Sequence, residues 1–126
     1  MDSQTFQQLG GEQTFSTIAR VFYQGVKADP VLHEMYPEAD LTAAEERLRM
    51  FLVQYWGGKT EYQEKRGHPR LRMRHSPFKI NPNAKNHWLK AMRTAVDAAE
   101  LSEADDALVW DYFERAALAM VNTFED

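Results

Sequence analysis

The 126-residue sequence contains no cysteine. Disulfides, cysteine-ligated zinc, iron–sulfur clusters, thiol catalysis and thioether-linked haem are thereby excluded. No apolar run approaches the roughly 20 residues a membrane span needs, so no membrane insertion is expected. The N-terminus, MDSQTFQQLGGEQ, has neither a basic stretch nor an apolar one of the kind that directs secretion. A cytoplasmic setting is the expectation. Alternation with β-branched residues persists nowhere, which argues against any strand. There is no G-x-S-x-G, no P-loop, no G-x-G-x-x-G and no H-E-x-x-H, so the commonest hydrolase, nucleotide-binding and zinc-protease patterns are missing. Repeats, low-complexity segments and interdomain linkers are also lacking. What remains is 44% apolar and 12% aromatic, enough to pack one core, and residues 1–126 read as a single domain.

The apolar spacing is helical throughout. After the turn signal Gly10-Gly11, Phe15, Ile18, Phe22 and Val26 recur at intervals of three and four, with Ala19 and Tyr23 beside them. This helix ends near Lys27 or Ala28, where Asp29-Pro30 breaks it. The next piece, VLHEMYP, fits one or two 3₁₀-like turns better than a full helix. Thr42-Ala43-Ala44-Glu45 has capping-box spacing, with Asp40 an alternative cap. It opens a helix whose stripe is Leu41, Ala44, Leu48, Phe51, Leu52 and Tyr55, with Glu45 and Arg49 as an i,i+4 pair. Gly57-Gly58 ends it. Residues 58–68 read as a loop, followed by a very short helix from Pro69 to His75. Asn81-Pro82 caps a helix with Trp88, Met92, Ala95 and Ala99 on its buried face. Ser102 with Asp105 caps the last helix, whose face runs Val109, Tyr112 or Phe113, Ala116, Met120. The expected architecture is all-α, with four substantial helices and two short ones.

Charge singles out one segment. The formal net charge is -4, yet between Lys65 and Lys79 there are six Lys/Arg and no acid. A basic stretch in an acidic protein points to an anionic neighbour. Three candidates fit: nucleic acid, a phosphate-bearing ligand, or the propionates of a haem. The overall negative charge and the lack of an RNA-binding motif argue against nucleic acid. The segment reads RGHPRLRMRHSPFKI over 66–80 and holds two of the four histidines. His33 lies in a polar turn and His87 precedes Trp88 on a helix, where it can be exposed. His68 suits an anion contact. His75 ends a short helix, with Leu71 before it and Phe78 and Ile80 after. A histidine so placed is more often packed or solvated than a ligand. No carboxylate pairs with it at i±3 or i±4, so a protein-built zinc site is not indicated. A lone histidine suits a metal that brings its other ligands, as haem does.

A haem would also require apolar walls. Leu48, Phe51 and Leu52 on one helix and Trp88 and Met92 on another can supply them, with Arg47, Arg72 and His68 meeting the propionates. Each of these apolar residues has core packing as an ordinary alternative. Tyr23 lies next to the buried face of its helix, Tyr36 ends the short turn after it, and Trp88 sits on an otherwise apolar face; when buried, their polar atoms need partners. They satisfy one another or backbone carbonyls, or they point at a ligand that accepts hydrogen bonds.

Taken in order, these pieces resemble the group II truncated haemoglobins. The resemblance runs over essentially the whole chain. It is carried by Gly10-Gly11, Phe22-Tyr23, Tyr36-Pro37, AAEERLRMFLVQYWGG at 43–58, RGHPRLRMRHSPFKI at 66–80, and Trp88. It implies a two-over-two helical sandwich, helices B and E on G and H, around a b-type haem. It implies His75 as the axial ligand of the iron and Tyr23, Tyr36 and Trp88 as distal hydrogen-bonding residues. Ala44 takes the distal position where other globins often place a histidine, and Leu48 lines the distal pocket. Arg47 matches a propionate contact, and Tyr62, His68, Arg72 and Phe78 match the haem surroundings. The function so implied is reversible binding of dioxygen, carbon monoxide and nitric oxide at iron. The competing class is a redox enzyme using the same pocket, either peroxidase-like or oxidising nitric oxide with dioxygen. Peroxide would then be a partner, and a reductase that the sequence does not identify would be required. No separate acid–base histidine is evident on the distal side, which argues against an efficient peroxidase. A homo-oligomer stays open.

Overall fold

The structure, a computed structural model, describes residues 3–36, 41–57 and 81–121. Six helices are present among them: α1 (Ser3–Gln8), α2 (Gly11–Ala28), α3 (Pro30–Met35), α4 (Thr42–Gly57), α5 (Pro82–Ala98) and α6 (Glu103–Met120). The described residues contain no strand. The four long helices are those the apolar spacing predicts. The short helix α1 has too few turns for a period to show, and is held by burial of Phe6 and of the following Leu9.

Local chemistry explains the boundaries. Gly10 at φ 107° and Gly11 at φ 67° turn the chain between α1 and α2. A Cβ on Gly10 would overlap the Thr14 hydroxyl, which donates to the Leu9 carbonyl at 2.6 Å. Only glycine takes that turn without strain. At the start of α5 the Asn81 side chain accepts from the Ala84 N–H at 2.8 Å, and Pro82 follows at the first helical position. At the start of α6 the Ser102 hydroxyl accepts from the Asp105 N–H at 3.2 Å. Glu103, Asp105 and Asp106 in that first turn oppose the positive end of the helix.

Three local expectations are corrected. Residues 30–35 form α-helix, not 3₁₀ turns. Asp29 both ends α2 and caps α3, accepting from the N–H groups of Val31 and Leu32, and Pro30 sits at the first position. These two signals together favour a regular start. On α6 the buried residue after Phe113 is Ala117, with Ala116 only half-buried. Arg49 pairs with Glu46 at 3.8 Å, not with Glu45.

The largest difference concerns α4. Of its expected stripe, Tyr55 is 38% exposed and Leu41 and Leu48 are half-buried, while Met50, Val53 and Trp56 on other sides are buried. The helix is apolar on two faces. One packs on α1 and α2. The other, with Phe51 and Tyr55 stacked along it, turns toward α6, where Tyr55 meets the Tyr112 ring at 4.3 Å.

Helix α2 is central. It packs on α4 on one side and on α5 on the other, and α5 packs on α6. Its crossing with α5 is close, since a Cβ at Gly25 would lie 3.1 Å from that of Ala91. Arg93 fastens α5 to α6, bridging Asp97 and Asp106 and lying 4.5 Å over the Trp110 ring. By contrast, no Cα of α4 approaches α5 or α6 within 8 Å. The backbone layers are thus closed along α2 and apart at α4. The result is the two-over-two sandwich that the resemblance implies, α2 and α4 on α5 and α6.

Candidate functional site

Three polar aromatics from three elements converge beside the α2–α5 crossing. Tyr23 lies on the last turns of α2, Tyr36 directly follows α3, and Trp88 lies on α5. Tyr23 and Tyr36 meet edge to face, with ring centroids 5.5 Å apart. Phe22 touches both Tyr23, at 5.0 Å, and Trp88, at 5.5 Å. The Tyr36 oxygen has the Trp88 indole and the Tyr23 hydroxyl as hydrogen-bonding neighbours.

The electrostatics of Tyr36 follow from this setting. Part of the side chain reaches the surface, but its hydroxyl is desolvated. Burial pushes its pKa up to about 12, and the bonds from Trp88 and Tyr23 only partly oppose the shift. Desolvation disfavours the phenolate. The hydroxyl is therefore neutral at any physiological pH. An indole N–H can only donate, so Tyr36 is the acceptor in its bond with Trp88.

Around this cluster the apolar residues singled out by sequence take two kinds of position. Leu52 and Met92 are fully covered by protein, and Ala44, Phe51 and Trp88 are buried. Leu48 and Arg47 are half-buried on α4. Tyr62, His68, Arg72, His75 and Phe78 lie outside the described residues, as does the short helix expected over 69–75. Sequence reasoning missed Asp29 and His87, whose side chains meet at 2.7 Å. They are 58 residues apart, and no local pattern links them.

A protein-family model for bacterial-like globins matches residues 4–122. The group 2 truncated haemoglobin YjbI of Bacillus subtilis is 36% identical over 115 residues, 91% of this chain and 86% of that protein. The chain belongs to the group II truncated haemoglobins. Among solved structures, the thermostable haemoglobin of Thermobifida fusca superposes with a TM-score of 0.93 at 55% identity, covering 96% of this chain and 98% of that one. The truncated oxygen-avid haemoglobin of Bacillus subtilis does so with a TM-score of 0.86 at 35% identity, over 94% and 98% of the two chains.

As a truncated haemoglobin this is a haem-binding globin, and the residues present suit such a group. A flat apolar ligand needs a slot between layers, and the backbone of α4 stands away from α5 and α6. The α4 face that carries Leu48 and Tyr55 is only partly covered by protein, and Arg47 beside it offers a cation for an anionic edge. Among the described residues no three His, Cys, Asp or Glu side chains gather to hold a metal. No described helix is long and apolar enough to cross a membrane.

Proposed function

We propose that this truncated haemoglobin binds b-type haem through His75 and reversibly takes up dioxygen, carbon monoxide and nitric oxide. Tyr36 is the residue that holds the ligand. The observation that carries this reading is the packing of Tyr23 edge to face on Tyr36, with Trp88 beside them across Phe22, around a desolvated Tyr36 hydroxyl. When bound, the haem supplies an iron with an open coordination position for a diatomic ligand. The chain supplies the surroundings of that position.

The Trp88 indole can only donate toward the Tyr36 oxygen, and with Tyr23 in the donor role as well the acceptor positions of that oxygen are taken. Its own proton is then the one left to give. Because Tyr36 remains neutral, that proton is present across the physiological pH range. Phe22 packs against Tyr23 and Trp88 and restrains those two rings. A buried donor held by two others in low dielectric is stronger than an isolated one. Ala44 leaves room, being too small to reach across the pocket, and brings no polar atom of its own. Leu48 and Phe51 add apolar surface that disfavours water. Arg47, and by resemblance His68, Arg72 and Tyr62, would hold the carboxylate edge, with Phe78, Leu52 and Met92 completing the walls. The name of the oxygen-avid Bacillus subtilis relative supports dioxygen as the ligand.

The test is an absorption spectrum of the haem-reconstituted protein in ferric, ferrous and oxygenated forms, beside His75→Ala. A Soret band with a stable oxygenated species, lost or strongly altered in His75→Ala, is expected. A protein that refuses haem, or a variant with an unchanged spectrum, contradicts the assignment.

A further inference from the structure

The Asp29–His87 contact lies outside the aromatic cluster and has no part in the function proposed above. Its position gives it one. Asp29 occupies the corner between α2 and α3. Its N–H donates to the Gly25 and Val26 carbonyls at the end of α2. Its Oδ1 accepts from the N–H of Val31 at 2.9 Å and from that of Leu32 at 3.5 Å, capping α3. Its Oδ2 lies 2.7 Å from Nδ1 of His87. An ionised carboxylate only accepts, so Nδ1–H donates and the imidazole tautomer is set by the contact. Burial alone would raise the Asp29 carboxyl, but the His87 bond and the two capping N–H groups outweigh it and hold it below the ordinary carboxylate range.

Each of these residues is linked along the chain to a member of the aromatic cluster, His87 directly and Asp29 through α3. His87 immediately precedes Trp88 on α5, and α3 immediately precedes Tyr36. Helix α3 therefore packs on α5 with a pin at its start, Asp29–His87, and at its end has Trp88 as a hydrogen-bonding neighbour of Tyr36. It has six residues, less than two turns. A helix that short has no stability of its own, so its direction is set by what holds its ends and by the burial of Leu32. If the pin at its start is released, α3 can pivot about the buried Leu32, and the Tyr36 oxygen moves relative to the Trp88 N–H.

We propose that Asp29 and His87 are a positioning pair for the distal site, fixing the start of α3 on α5 so that the Tyr36 hydroxyl stays in register with Trp88. The proposal rests on the reading of Tyr36 as the residue that holds the ligand. It predicts an effect on ligand release out of proportion to any effect on stability. The side chains of His87 and Asp29 are 35% and 21% exposed, and a contact that open to solvent contributes little to global stability.

The experiment uses the haem-reconstituted full chain as wild type, His87→Leu, His87→Gln and Tyr36→Phe. These substitutions leave the Asp29 cap untouched. Three quantities are read: oxygen release by stopped flow, the carbon monoxide stretching frequency of the carbonmonoxy form, and the melting temperature. His87→Leu should speed release by about two- to tenfold, the size of one weakened neutral hydrogen bond. It should move the stretching frequency in the same direction as Tyr36→Phe and melt near wild type. His87→Gln, whose amide can still donate to Asp29, should recover part of both changes. If Tyr36→Phe alters rate and frequency while both His87 variants match wild type, the positioning pair is overturned and the ligand-holding role of Tyr36 stands. If Tyr36→Phe itself alters neither, both fall. A His87→Leu protein that melts far below wild type, with no recovery in His87→Gln, marks a structural role only and also overturns the proposal.

Discussion

Tyr23, Tyr36 and Trp88 make one aromatic cluster, and Tyr55, Trp56 and Tyr112 make another of the same composition. Phe113 touches both, 6.1 Å from Trp88 and 5.3 Å from Tyr112. The two differ in what meets what. In the first, polar atoms face one another: the Trp88 indole and the Tyr23 hydroxyl are hydrogen-bonding neighbours of the Tyr36 oxygen. In the second, rings meet. Tyr55 and Tyr112 lie 4.3 Å apart at a 34° tilt, and Trp56 packs against Tyr112 at 5.6 Å and against Phe15 at 5.9 Å. Trp56 is fully buried, yet its Nε1 has no hydrogen-bond partner. An unmet buried donor costs about 1–3 kcal/mol, tolerated here for the area the indole covers. The aromatics of the second cluster also span the gap between α4 and α6, whose Cα atoms stay more than 8 Å apart. The lesson is that composition does not distinguish a site from a strut. The direction of the polar atoms does.

Substitutions can break this contrast or sharpen it. The largest effect expected is on stability, from Trp56→Ala. Deleting a fully buried indole should cost about 3–5 kcal/mol in denaturant unfolding, while oxygen release from the folded holoprotein stays near wild type. Release accelerated as by a change in the first cluster would erase the division between the two.

A smaller effect separates the two clusters by pH. Tyr36 is raised to about 12 from an ordinary 10. Above pH 10 the unfolded chain loses this proton and the folded one keeps it, so stability falls as pH rises toward 12. Allowing for the part of Tyr36 that reaches solvent, wild type should lose about 1–2 kcal/mol over that window that Tyr36→Phe does not lose. Tyr112 is raised further, by burial first and by the neighbouring Tyr55, against the opposing Arg115. No donor like Trp88 or Tyr23 is among the causes of its shift. The pH-dependent loss removed by Tyr112→Phe should therefore exceed that removed by Tyr36→Phe. The reverse order would mean that the hydrogen bonds of the first cluster do not stabilise the Tyr36 oxygen.

The same contrast explains what the sequence could and could not say. The long helices follow from local rules: the apolar period of Phe15, Ile18, Phe22 and Val26, the Asn81-Pro82 start and the Ser102 cap all read correctly. Tyr23, Tyr36 and Trp88 were identifiable as polar aromatics at or beside apolar positions, and the resemblance to truncated haemoglobins named them together. That they gather around one oxygen is a tertiary fact, since they come from α2, the end of α3 and α5. Trp56 stayed hidden for a related reason. The expected stripe of α4 runs through Leu48 and Tyr55, and a helix buried on two faces has no single stripe to find. The Asp29–His87 contact spans 58 residues, and in sequence Asp29 shows only as a helix breaker.

The central claim is that the Tyr36 hydroxyl, set by Trp88 and Tyr23, is what retains a bound ligand. The most direct test is oxygen dissociation by stopped flow from haem-reconstituted Tyr36→Phe and Tyr112→Phe. The account predicts release faster by about tenfold in Tyr36→Phe, equivalent to about 1.4 kcal/mol, and an unchanged rate in Tyr112→Phe. Equal rates in wild type and Tyr36→Phe, or acceleration by Tyr112→Phe alone, would contradict it.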